Sequence, residues 1–89
     1  MYTVRFTETG TAAFGRLTPD QRRRILRLIG NIQLDPMPDN ISKFTLYELG
    51  TMYTICRDHQ GYWIVYHVDG DIISIVGVGV GSPYVPPAP

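Results

Sequence analysis

The sequence predicts an α+β fold in the order β-α-α-β-β-β-β, a curved antiparallel sheet with a helical hairpin packed on one face. Three observations carry that expectation. Gly61 to Val80, GYWIVYHVDGDIISIVGVGV, reads as two apolar, β-branched strands around an Asp69-Gly70 turn. Ile25, Leu28, Ile29 and Ile32 form a single stripe at helical spacing. Tyr2 to Phe6 alternates apolar and polar residues, as a strand with one buried face does.

Taken in order, the chain opens with that strand. Thr7 to Arg16 is a weak helix by composition, holding Gly10 and Gly15, yet Ala13, Phe14 and Leu17 share one side. Thr7 or Thr9 is placed to cap it. The next helix starts at Thr18-Pro19-Asp20-Gln21, which supplies an N-cap, a proline in the first turn and a capping-box glutamine. Asp35-Pro36 and Pro38 end it, because the residue before proline avoids the α region.

After a loop over residues 37–42, Lys43 to Leu49 and Met52 to Arg57 read as strands around Gly50-Thr51. Asp58-His59-Gln60-Gly61 turns the chain into Tyr62 to Val68 and then Ile72 to Val78. A type I′ turn with Val68 and Asp71 as its flanks is expected between them, with positive φ at Asp69 and Gly70. Both runs are apolar on both faces, so one side needs cover from the helices and the other from a partner or a site. Residues 1–81 form a single domain on this reading, and SPYVPPAP at 82–89 is an extended proline-rich tail.

An 89-residue chain with 44% hydrophobic residues suits one small core. Cys56 is the single cysteine, which excludes a disulfide framework and points to the cytoplasm. No run is long enough for a membrane span. Two histidines and one cysteine without close spacing argue against a metal site, and no cofactor is expected. The net charge is zero, but residues 1–43 carry seven basic against four acidic groups and residues 44–89 one against four. Electrostatic contact with nucleic acid therefore falls to the first half, where Arg22, Arg23, Arg24 and Arg27 cluster on the second helix.

Tyr2-Thr3-Val4-Arg5-Phe6, the paired short helices, Asp35-Pro36, Lys43 ahead of Leu46 and Leu49, and Tyr62-Trp63-Ile64-Val65-Tyr66 follow one another in a telling order. Together they resemble the RelE/ParE superfamily of toxins from bacterial type II toxin–antitoxin systems. The resemblance implies a ribosome-dependent messenger RNA endonuclease, an antitoxin partner that wraps and blocks it, and a working surface on the sheet. Carried onto this chain, it implies Lys43 and Arg57 on phosphate, with His59 or Tyr84 as proton donor. Thr54, Cys56 and Trp63 stand where the family usually has arginines. A non-catalytic member therefore stays open beside the enzyme, either a DNA gyrase inhibitor or a toxin that only binds its antitoxin. Self-association through the apolar sheet face or through the antitoxin is a further expectation.

Other readings compete at single residues. Cys56 in an apolar strand is a small hydrophobe rather than a nucleophile, and His67 a packed strand histidine. Arg57 has Asp58 beside it as an ion-pair partner. Tyr53, Tyr62, Trp63 and Tyr66 are either base-stacking or packing aromatics.

Overall fold

The computed structural model describes residues 2–48 and 50–81, and the expected tail at 82–89, with Tyr84, lies outside them. Its elements are β1 (Thr3–Phe6), α1 (Glu8–Gly15), α2 (Pro19–Leu34), β2 (Lys43–Glu48), β3 (Thr51–Arg57), β4 (Tyr62–Asp69) and β5 (Ile72–Val80). The order is the one the sequence predicts. The five strands form one sheet in the order β1-β5-β4-β3-β2. β2 to β5 are an antiparallel meander, and β1 adds a parallel edge beside β5, with Thr3 opposite Ile72 and Phe6 opposite Ile75. Parallel neighbours need a long connection, and the helices and the meander supply it.

Both helices start as their sequences dictate. The Thr7 hydroxyl accepts the Gly10 N–H at 3.1 Å, and Thr18 with Gln21 closes a complete capping box. α1 is seated directly on β5: the Thr7 N–H and hydroxyl both donate to the Ile75 carbonyl, at 3.0 and 3.1 Å. A methyl at Gly10 would collide with that same carbonyl. The α2 stripe Ile25, Leu28, Ile29 and Ile32 is buried against Cys56, Ile64, Tyr66, Ile73, Ile75 and Val78. Tyr66 is fully buried, and its hydroxyl donates to the Pro36 carbonyl at 2.7 Å, tying the loop after α2 to the sheet. This removes Tyr66 from the base-stacking aromatics.

The central hairpin differs from its expected turn by one residue. Asp69 stays in β4 opposite Ile72, so Gly70 and Asp71 are the two loop residues. Gly70 has φ +61°, whereas neither Asp69 nor Asp71 has positive φ, which is the pattern of a type II′ rather than a type I′ turn. Type II′ needs a glycine only at its first central position, so the strand gains one pair at no conformational cost. Farther along, the ladder is offset. Val65 pairs with Gly77 but Tyr66 with Ile75, leaving Val76 as the extra residue of a β-bulge. Beyond the bulge the Trp63 indole covers Gly79, where any Cβ would meet the ring.

Candidate functional site

A cleft of about 310 Å³ opens between α2 and the adjoining ends of β2 and β3. Leu28, Ile32 and Cys56 give it an apolar lining, Asn31, Ser42 and His59 add hydrogen-bonding groups, and Lys43, Arg57 and Asp58 supply charge. Three of the four expected catalytic residues, Lys43, Arg57 and His59, thus share one cavity. Local structure explains how. Lys43 begins β2, Arg57 ends β3, and the Arg57 N–H donates to the Ser42 carbonyl at 2.8 Å, so the two strand ends are pinned together. His59 follows in the turn between β3 and β4, exposed.

Lys43 is held more firmly than an edge lysine. Its side chain is only 14% exposed, its ammonium donates to the Asp35 carbonyl at 2.7 Å, and Asp39 Oδ2 lies 3.7 Å away. Asp39 in turn accepts the backbone N–H groups of Ile41, Ser42 and Lys43 on Oδ1, at 2.9 to 3.0 Å. The N–H bonds from Lys43, Ile41 and Ser42 hold its carboxyl well below the usual carboxylate range. One of the three ammonium donors is spent on Asp35, which leaves a fixed positive charge at the cleft. Arg57 is exposed and lies opposite Trp63 across the β3–β4 ladder.

Asp58 pairs not with its neighbour Arg57 but with Arg24, whose Nε–H donates to Oδ2 at 3.0 Å. Burial raises the Asp58 pKa. The N–H groups of Tyr62 and Gln60, and Arg24, outweigh it, so the net shift is downward. Burial pushes the Cys56 thiol up, which keeps it protonated and unsuited to nucleophilic attack. Among the described residues no group of three or more His, Cys, Asp or Glu is placed to hold a metal ion.

The arginines of α2 take separate roles. Arg22 donates to the Gly15 carbonyl at 3.2 Å at the end of α1. Arg23 pairs with Asp20 on the surface, and Arg24 leans over Tyr62 with its guanidinium carbon 5.8 Å from the ring centroid. Arg27 is exposed and has no charged partner among the described residues. On the face of the sheet away from the helices, Tyr53 and His67 meet edge to face at 6.2 Å, and Arg5 donates to the Ser74 hydroxyl at 3.0 Å.

Sequence reasoning missed Asp58, Asn31 and Ser42 as parts of this site. Asp-His-Gln-Gly is itself a signal for an aspartate that closes a turn through its side chain. Arg24, Leu28 and Asn31 are spaced four and three apart, which puts them on one flank of α2.

No protein-family model matches the sequence, and no curated protein matches it. Solved structures do. A chain of the toxin–antitoxin complex RelBE2 from Mycobacterium tuberculosis superposes with TM-score 0.75 at 22% identity, over 90% of this chain and 98% of that one. The fold is RelE-like. A chain of the archaeal RelE–RelB complex from Pyrococcus horikoshii OT3 gives TM-score 0.66 at 20% identity, over 89% and 93%. One from the intact E. coli RelBE toxin–antitoxin complex gives 0.59 at 17%, over 93% and 100%. The RelE-like fold thus accounts for the sheet and both helices. Among the described residues no helix is long and apolar enough to cross a membrane.

Proposed function

We propose that this chain is the toxin of a type II toxin–antitoxin pair, cleaving ribosome-bound messenger RNA in the cytoplasm until a cognate antitoxin covers it. The observation that carries this reading is one cleft, on a RelE-like fold, that gathers Lys43, Arg57 and His59. Cleavage of this kind needs the 2′-hydroxyl to lose its proton to water as it attacks the neighbouring phosphate, and the bond to the 5′-oxygen to break. The products are a 2′,3′-cyclic phosphate and a 5′-hydroxyl. Lys43 and Arg57 offset the charge that accumulates on the phosphate oxygens, and His59 or Tyr84 delivers a proton to the departing oxygen. Of the four arginines of α2, Arg27 is the candidate for longer-range contact with RNA, because Arg22, Arg23 and Arg24 are each bonded within the fold.

An in vitro translation reaction tests the reading. Transcripts carrying new cyclic phosphate ends support it, and intact transcripts at saturating protein overturn it. One observation favours a second reading, a non-catalytic toxin directed at DNA gyrase or a chain that only binds its antitoxin. Lys43 already gives a donor to Asp35, leaving Arg57 as the exposed cation of the cleft lining. The Lys43→Met, Arg57→Ala, His59→Ala triple variant separates the two. Retained growth arrest supports the non-catalytic reading, and loss of arrest with retained antitoxin binding supports the enzyme.

A further inference from the structure

Arg57 and His59 are exposed residues of the cleft lining, and neither side chain bonds to another group among the described residues. Their aim is therefore set by the backbone that carries them, and Asp58 sits between them. Its side chain is only 9% exposed. Oδ1 accepts the N–H groups of Gln60 at 2.9 Å and Tyr62 at 3.0 Å, while Oδ2 accepts Arg24 Nε–H at 3.0 Å. The Asp58 N–H donates to the Tyr62 carbonyl at 3.0 Å. One carboxylate thus closes the turn and fastens it to α2. Arg24 is equally committed, with its guanidinium over Tyr62. Leu28 and Asn31, one and two helical turns after Arg24, line the opposite wall.

We infer that the Arg24–Asp58 pair is a strut across one end of the cleft, which holds the β3–β4 turn against α2 and so places Arg57 and His59. Arg24 and Asp58 are positioning residues, and Arg24 serves the strut rather than touching RNA itself. The role rests on the endonuclease reading above. Its chemistry needs a carboxylate facing a cationic donor, and a guanidinium fits it best. An amide at position 58 keeps an oxygen for the two turn N–H groups but turns its NH₂ toward the Arg24 donors. Asp58→Asn therefore breaks the strut and spares the turn.

Steady-state cleavage by the full chain on programmed ribosomes tests this, with Asp58→Asn, Arg24→Gln, their double variant and Arg24→Lys. Both single variants are expected to lose kcat by roughly ten- to a hundredfold, as small misplacements of catalytic groups do, with KM within about twofold. The double variant is expected to be no slower than the slower single, since one strut is lost only once. Arg24→Lys, which keeps the charge, is expected to recover part of kcat. An arginine that binds RNA directly gives another pattern. Asp58→Asn would free it and lower KM, and Arg24→Gln would raise KM at constant kcat; that result overturns the strut. Losses that multiply in the double variant overturn it as well. A wild-type protein that leaves transcripts intact overturns the endonuclease reading and this role with it. An active wild type beside indifferent variants overturns the strut alone.

Discussion

Gly10→Ala is expected to destabilise the protein although alanine is the better helix former. The helix itself gains about 1 kcal/mol from the exchange. Against that, the new methyl would overlap the Ile75 carbonyl oxygen and lie 3.0 Å from its carbon, both backbone atoms of a central strand. β5 is bonded on both sides and cannot yield, so α1 must lift. Overpacking of this kind costs about 1–3 kcal/mol. Lifting also stretches the two Thr7 bonds to the same oxygen, each contributing about 1 kcal/mol. The expected balance is a loss of about 2 kcal/mol, or roughly 10 °C in Tm for a domain of this size. Gly30, exposed on α2 with nothing within 4 Å of its Cβ position, is the control of opposite sign. Gly30→Ala is expected to stabilise by about 1 kcal/mol. Urea denaturation of both variants reads the two midpoints. A Gly10→Ala protein as stable as wild type, beside a stabilised Gly30→Ala, would refute the close seating of α1.

Tyr66→Phe leaves the buried Pro36 carbonyl without its donor and is expected to cost about 1–3 kcal/mol by urea titration. Asp39 has a depressed carboxyl pKa in the folded state, so its stabilisation is complete above the unfolded value of about 3.9 and lost as pH falls through the lower folded value. Asp39→Asn keeps an acceptor for the loop and removes the titration. Its acid unfolding curve should therefore lack part of the wild-type decline below pH about 4. If Arg27 contacts RNA phosphate, Arg27→Ala should weaken binding evenly across sequences and reduce the salt slope by about 1, as filter binding at several salt concentrations would show. Arg23→Ala, which removes the partner of Asp20, should change neither.

What was legible in the sequence is what local chemistry decides. α2 announces both ends and its buried stripe through a capping box, an Asp-Pro stop and a 3.6-residue period. The strands appear in their expected places because β-branched runs between turn residues have few alternatives. The hairpin turn was misplaced by one residue because Asp69-Gly70 and Gly70-Asp71 both satisfy turn chemistry, and only the cross-strand pairing of Asp69 with Ile72 decides. The β1–β5 pairing and the Arg24–Asp58 bond join residues far apart in the chain, which no local pattern encodes. The same limit governs the arginines of α2. Arg22, Arg23, Arg24 and Arg27 look like one patch in sequence, but the first three bond to different groups of the fold and Arg27 stays exposed.

The bulge at Val76 bears on how the hairpin finds its register. Zipping outward from Gly70-Asp71, β4 and β5 pair without interruption until Tyr66 meets Ile75. An unbroken continuation would then match Val65 with Val76 and Trp63 with Val78. Every later side chain of β5 would change face, moving Val78 out of the core and glycines into it. The folded ladder slips by one residue at this point, and the partner of the indole becomes Gly79. An isopropyl group under Trp63 has no room where a hydrogen has, so the indole penalises the slipped alternative at the step where the two pairings diverge. Deleting Val76 would remove the choice, because the partners beyond the bulge then follow in step. Filling Gly79 with a methyl would instead narrow the energy gap between two registers, trading a single native pairing for a contest.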